Sequence, residues 1–306
     1  MTIPVIDIGP FLSGGDVQTV ALTWDAAMRE YGFAIISGHG IPEKLLNTVY
    51  GQAQDFFARP LAEKMAVCFG DMRSGQGYLP LGNETVGKAR DAGSRPDLCE
   101  SLSFSHTPGA RANLWPDGEF RAAIEAYMGA AEGLARDLMR LSAAALGLKV
   151  DHFASFFTAM NSDLRCVLYP DQAEPPQEGQ LRYGPHTDFS GFTILRQDDA
   201  PGGLEVKMGD SWVPVRPIPG TLVINAGDLI QRWTNDRWLS NIHRVVNPPR
   251  DRTNGTRRLS IVLFTGPNSD AVIETLPDCG PSHYPPVTAG DHVAQRIATT
   301  YGNLAP

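Results

Sequence analysis

Hydrophobic positions follow two different periods in the two halves of the chain. Val17, Val20, Ala21, Trp24, Met28 and Tyr31 recur every three or four residues after Asp16, whose carboxylate can cap a first turn, so the spacing predicts a helix there. A shorter helix is expected over 43–57. The clearest periodicity runs through Phe120, Ile124, Tyr127, Ala131, Leu134, Leu138 and Leu141, with Gly147 standing where a carboxy-terminal cap belongs. Residues 291–301 read as a closing helix. Between these, 70–109 is rich in Gly, Ser and Asp with little periodicity, and is expected to be a long loop covering something.

From residue 164 onward the pattern changes to short apolar and β-branched runs, at 164–169, 192–195, 204–208, 212–215, 221–224, 243–246 and 259–264, separated by Gly and Pro. Such runs predict a β-sandwich or barrel. No internal repeat or linker divides the chain, so 1–306 is read as one structural domain. Within it lie an amino-terminal region (1–110), a support helix (111–150), a β core (160–268) and a carboxy-terminal extension with a helix (269–306).

Composition narrows the function classes. The 31 glycines and 24 prolines exceed the usual combined share of about 12% and supply turns. A chain that is 42% hydrophobic and 20% charged is not disordered. No apolar run approaches the roughly 18 residues of a membrane span, and the first residues lack the pattern of a secretory signal, so a cytoplasmic protein without membrane partners is expected. The net charge of −8, with no Lys/Arg cluster, argues against nucleic acid. Cys68, Cys99, Cys166 and Cys279 are scattered, with no CxxC pair, and read as reduced thiols. Gly82-Asn-Glu-Thr-Val-Gly87-Lys88-Ala89 nearly spells a phosphate-binding loop, but Ala89 replaces the required Ser or Thr and no apolar strand precedes it.

The segment carrying chemistry is His186-Thr187-Asp188, followed by His243. On a strand, i and i+2 share a face, so His186 and Asp188 can address one metal while His243 reaches it from another strand. Two imidazoles and a carboxylate on one octahedral face leave positions open for a co-substrate and dioxygen, as in non-haem Fe(II) oxygenases. Hydrogen-bonded core or surface histidines would give the same tripeptide. Arg258 and Ser260 form a second same-face pair in an apolar strand, where a guanidinium fork and a hydroxyl could receive a carboxylate of a small anion. An internal Asp or Glu would satisfy the arginine equally well.

Taken together, the ordered motifs resemble the isopenicillin N synthase-like family of Fe(II)/2-oxoglutarate-dependent dioxygenases nearly end to end. They are Tyr31-Gly-Phe with His39-Gly-Ile-Pro42, Phe56-Phe57, Glu63-Lys64, Gly77-Tyr78, Gly82-Asn-Glu84, Tyr169-Pro170, His186-Thr-Asp188, Gly202-Gly203-Leu204, Asn225-Ala-Gly-Asp228, His243-Arg-Val and Arg258-Leu-Ser260. The resemblance implies an α+β chain with a mainly β core, a cupin-like double-stranded β-helix or jelly roll with flanking helices. It further implies Fe(II) on His186, Asp188 and His243, and 2-oxoglutarate on Arg258, Ser260 and Tyr169. His39 resembles a structural histidine, and Val167 stands where many plant members have Asn. Two segments, 181–186 and 113–119, tilt toward microbial β-lactam-tailoring members.

The expected activity is oxidation of a small molecule by dioxygen and 2-oxoglutarate, giving succinate and CO2, with ascorbate as an in vitro reductant. The substrate is hydroxylated, or else desaturated or rearranged at a ring. Arg165, Phe264, Ser101 and Ser103 are nominated as pocket residues, and Arg165 would favour an acidic substrate group. Two alternatives stand beside this: an iron oxidase of the same family that dispenses with 2-oxoglutarate, and a non-oxidative jelly-roll metalloprotein or binding module.

Overall fold

Two β-sheets face one another in the computed structural model, which describes residues 1–69, 76–91, 93–172, 174–252 and 254–301. The strands that build them are β1 (Val5–Asp7), β2 (Phe33–Ser37), β3 (Gly77–Leu79), β4 (Glu100–Ser105), β5 (Asn161–Tyr169) and β6 (Tyr183–His186), followed by β7 (Phe192–Gln197), β8 (Gly203–Met208), β9 (Ser211–Pro214), β10 (Leu222–Ala226), β11 (His243–Val246) and β12 (Arg258–Gly266). The larger sheet has the order β1-β2-β10-β7-β12-β5-β4-β3 and the smaller β6-β11-β8-β9. All pairings in these sheets are antiparallel except β1 with β2. This is the expected jelly roll.

Period-two alternation gives the larger sheet two different faces. On β5 and β12, Leu164, Cys166, Leu168, Leu259, Ile261 and Leu263 join the main hydrophobic core. That core is shared with helices α2 (Val17–Glu30), α3 (Glu43–Ala58) and α5 (Gly118–Ala145), while the short helices α1 (Gly9–Leu12), α4 (Leu61–Met65) and α6 (Asp228–Trp233) and the closing α7 (Ala289–Tyr301) border it. The opposite residues, Arg165, Val167, Tyr169, Arg258, Ser260, Val262 and Phe264, face the smaller sheet. Apolar clusters spanning both sheets, such as Val167, Tyr169 and Val245, close parts of that interior.

Helix ends follow the expected chemistry. The Asp16 side chain accepts from Thr19 N at 2.9 Å, and Gly147, at φ +74°, takes the left-handed position after α5. Three readings need correction. The support helix is Gly118–Ala145 rather than 111–150, because Asp117 caps its start by accepting from Phe120 N at 2.8 Å. The stretch 70–109 is not simply a loop: residues 70–75 and 92 lie outside the described residues, but β3 and β4 occupy Gly77–Leu79 and Glu100–Ser105 and complete one edge of the larger sheet. β1 and β2, outside the strand-rich half, complete the other edge. Residues 302–306 of the carboxy-terminal extension also lie outside the described residues. Among the described residues no helix is long and apolar enough to cross a membrane. Among the described residues no disulfide is formed.

Candidate metal centre and the inner face of the barrel

His186 ends β6 and His243 begins β11, and antiparallel pairing sets them directly opposite each other. Their rings lie 4.2 Å apart between centroids. Asp188 stands just past β6 rather than on it, a correction to the same-strand expectation. It is brought back toward the histidines because its carbonyl accepts from Asp228 N at 2.8 Å, at the start of α6. Asp188 Oδ1 lies 3.7 Å from His186 Nε2 and 3.8 Å from His243 Nε2, and one ligand atom from each of the three residues falls within 4.8 Å of the others.

Each ligand atom is left available by what the rest of its side chain does. Gly184 O accepts from His186 Nδ1 at 2.9 Å, and Asn241 O from His243 Nδ1 at 3.1 Å. A carbonyl can only accept, so each Nδ1 carries its proton and each Nε2 presents a lone pair inward. Burial, with His243 alongside, holds His186 well below its ordinary pKa, in the neutral form that binds metal. Asp188 Oδ2 accepts from Thr193 Oγ1 at 2.5 Å and Asn225 Nδ2 at 2.6 Å, leaving Oδ1 for a metal. Burial opposes charge on Asp188, but the facing imidazoles and these two donors hold its pKa below the usual value. Two neutral imidazoles and a carboxylate, each oriented by a hydrogen-bonding partner, fit a hard or borderline divalent ion.

Deeper along β12, Arg258 is 1% exposed. Its Nη1 donates to Ser260 Oγ at 2.6 Å and its Nη2 to Gln197 Oε1 at 2.9 Å. Its guanidinium carbon lies 5.3 Å from the Tyr169 ring centre, and that of the fully buried Arg182 lies 6.0 Å from the same ring. Arg182 donates to three backbone carbonyls, of Pro201, Pro170 and Thr256, and burial together with Arg258 pushes its pKa down to about 10. Two buried guanidinia thus share this end of the barrel, with Asp198 acting on Arg258 and Asp171 on Arg182, and an incoming anion would add to that compensation.

Arg165 is also on the inner face, paired across the ladders with Ser103 and Val262. Its Nη1 donates to Glu84 Oε1 at 2.9 Å and Tyr183 Oη at 3.0 Å, and its Nη2 to Ser101 Oγ at 2.9 Å and to Glu84 Oε2. Phe264 pairs with Thr193 on one side and Asp163 on the other. The alternation therefore brings Arg165, Ser101, Ser103 and Phe264 to the metal-facing interior. His39 is buried and its Nδ1 accepts from Ile41 N, a local structural role.

Thr193 and Gln197 were not singled out by the sequence. Asn225 and Glu84 stood in the motifs Asn225-Ala-Gly-Asp228 and Gly82-Asn-Glu84, and Arg182 and Tyr183 in the segment 181–186, but none of the four had been given a role at the site.

Two imidazoles and one carboxylate facing a jelly-roll interior define a mononuclear non-haem metal enzyme. A family model of the 2OG-Fe(II) oxygenase superfamily matches residues 157–267, and a second, described as non-haem dioxygenase in morphine synthesis N-terminal, matches 3–118. The chain is 33% identical to homoarginine-6-hydroxylase 2-ODD-233 of Oryza sativa subsp. japonica, with 98% of this chain and 97% of that protein covered. It is 34% identical to the 2-oxoglutarate-Fe(II) type oxidoreductase hxnY of Emericella nidulans, over 98% and 90%. Among solved structures, a full-length Neurospora crassa protein in complex with alpha-KG and thymine matches with a TM-score of 0.86 at 30% identity, covering 98% of this chain and 97% of that one. A 2OG-Fe(II) oxygenase family protein from Caulobacter crescentus matches at 0.84 and 31%, over 96% and 98%. The chain belongs to the 2OG-Fe(II) oxygenase superfamily, and is an Fe(II)- and 2-oxoglutarate-dependent oxidoreductase. These relatives lend no support to the tilt toward β-lactam tailoring.

Proposed function

We propose that the protein oxidises a C–H bond of a small organic molecule, with the metal on His186, Asp188 and His243 and the distal carboxylate of 2-oxoglutarate on Arg258, Ser260 and Tyr169. The observation carrying this reading is the pairing of a donor-oriented His-Asp-His set with a buried arginine whose fork meets neutral side chains among the described residues, Ser260, Gln197 and Tyr169. When bound, Fe(II) and 2-oxoglutarate supply the oxidation: one oxygen atom of O2 enters the substrate C–H bond, the other enters succinate, and CO2 leaves.

The chain's own residues account for the rest. Arg258 gives the incoming carboxylate a charged fork, and Ser260, whose oxygen already accepts from Arg258, has its own hydroxyl proton to donate to the same group. Thr193 and Asn225 keep Asp188 Oδ2 engaged, so the carboxylate cannot rotate away from its ligand geometry. Val262 and Phe264 present apolar surface between these two regions and limit water near the reacting carbon.

Arg165, Ser101, Ser103 and Phe264 are proposed to line the substrate space. The acidic substrate group expected from Arg165 loses its support, because Glu84 engages both terminal nitrogens of that arginine. Related solved structures carry small molecules, among them thymine, 5-formyluracil and JA, and this favours a substrate of similar size. The buried thiols of Cys99 and Cys166 favour a reducing, cytoplasmic setting.

The test is to incubate protein with Fe(II), ascorbate and 2-oxoglutarate under air, with a panel of small molecules, and measure succinate. Succinate formation that disappears in His186→Ala is expected; none under any condition refutes the assignment. Arg258→Met should weaken 2-oxoglutarate binding by about a hundredfold, by analogy with other lost charge-assisted pairs. Unchanged 2-oxoglutarate affinity in that variant would remove Arg258 from its role.

A further inference from the structure

Asp163 is a solvent-exposed acidic residue on the inner-face side of β5 that makes no direct ion pair among the described residues, His106 being the base that acts on its charge. It follows the same alternation on β5 as Arg165 and Tyr169, whereas its neighbour Leu164 points into the helix-side core. Across the ladders it pairs with Phe264 on β12 and Ser105 on β4, and Phe264 is in turn opposite Thr193, which holds Asp188. Two strand spacings, about 10 Å, therefore separate Asp163 from the support of the metal triad. That is too far for a metal ligand, yet one small molecule can span it.

The surroundings compensate the Asp163 charge only in part. Its oxygens are both 3.4 Å from the Thr107 hydroxyl, at the long end of hydrogen bonding. Of the nearby bases, Arg165 is engaged by Glu84, and His106 by Glu132 at 2.9 Å. Asp163 is exposed to solvent, yet the chain around it raises its pKa by desolvation against the Ser105 and Thr107 hydroxyls and the His106 imidazole. An accessible carboxylate on the lining of the interior, beside an apolar ring, can receive a cation. Phe264 alongside offers an apolar surface for the carbon chain that would carry it.

We infer that Asp163 is a specificity-determining residue that receives a positively charged group of the substrate, an ammonium or guanidinium, while the substrate's reactive carbon lies toward the metal. This rests on the oxygenase reading above, in which the interior between β5, β12 and the triad holds the substrate. It replaces the acidic substrate first expected with a basic one.

Anaerobic calorimetry tests it on protein holding Fe(II) and 2-oxoglutarate, titrated with n-butylguanidinium, n-butylammonium and the uncharged n-butylurea. The cations should bind at least about tenfold more tightly than the urea, and Asp163→Asn, nearly identical in shape, should erase that preference while Asp163→Glu keeps part of it. Equal affinities in the wild-type protein, no measurable binding of either cation, or a preference surviving in Asp163→Asn overturns the inference. The wild-type comparison decides the matter even where a variant fails to fold. Titration of 2-oxoglutarate in the same preparations separates the two levels: if it binds without a cation preference, only the role of Asp163 falls, and if it does not bind, the oxygenase reading falls as well.

Discussion

Asn225 touches no substrate, yet with Thr193 it decides which oxygen of Asp188 remains for the metal. Residues that orient ligands in this way are worth about 10–100-fold in metal affinity, so Asn225→Ala should weaken Fe(II) binding by that factor while leaving a folded protein. Competition against a metal-sensitive dye checks it, and affinity within twofold of wild type would show that Thr193 suffices alone. The triad was legible in the sequence because metal chemistry demands particular residue types at constrained positions. The role of Glu84 was not, because its partner Arg165 is 81 positions away and only folding makes them a pair. The same contact takes away the support for an acidic substrate group: an arginine in a pocket looks like an anion receptor until its neutralising glutamate is seen.

Elements were legible wherever one face was apolar. β12 and α5 announced themselves by period, but β4 did not, because its inner face is Ser101, Ser103 and Ser105 and only Leu102 and Phe104 reach the core. A strand bordering a polar interior resembles a loop in its composition. At the other end of the chain, α7 reaches the metal segment. Arg296 on that helix lies 2.9 Å from an Asp228 oxygen, donates to Thr187 Oγ1 at 3.1 Å and sits 5.1 Å from the Phe189 ring centre. Arg296→Ala should therefore lower Fe(II) affinity by about tenfold, with 2-oxoglutarate affinity measured separately at saturating metal nearly unchanged. Equal losses of both would indicate general loosening of the fold. A second link is sensitive to pH. His106 next to Glu132 joins the end of β4 to α5, and the Glu132 hydrogen bond raises the His106 pKa against the effect of burial. A raised folded-state histidine pKa stabilises fully below about pH 6.5 and is lost as pH climbs through the raised value. The stability deficit of Glu132→Gln should thus be largest near pH 6, no more than about 1 kcal/mol, and shrink toward pH 9. Thermal melts of both proteins across that range give the difference directly, and a deficit that grows with pH would contradict the assignment.

Across the whole molecule, the interior carries charge that only ligands complete: Asp188 among imidazoles at one end, Arg258 and Arg182 at the other. Binding to the folded state alone stabilises by mass action, about 2.7 kcal/mol at a hundred times Kd. Fe(II) with 2-oxoglutarate should therefore raise the melting temperature by several degrees, progressively with concentration, and His243→Ala should abolish the response to metal. A flat response in the wild-type protein would contradict preferential binding of these ligands to the folded state. The placement of β2 between β1 and β10 bears on how the protein is made. Phe33, Ala34, Ile35 and Ile36 leave the ribosome long before Leu222–Ala226, the strand that will cover one of their edges, has been translated. At about 5–20 residues per second the delay is roughly 10–40 s. Throughout that interval an apolar strand is exposed in a nascent chain, so the amino-terminal end of this enzyme is where chaperone capture during synthesis should concentrate.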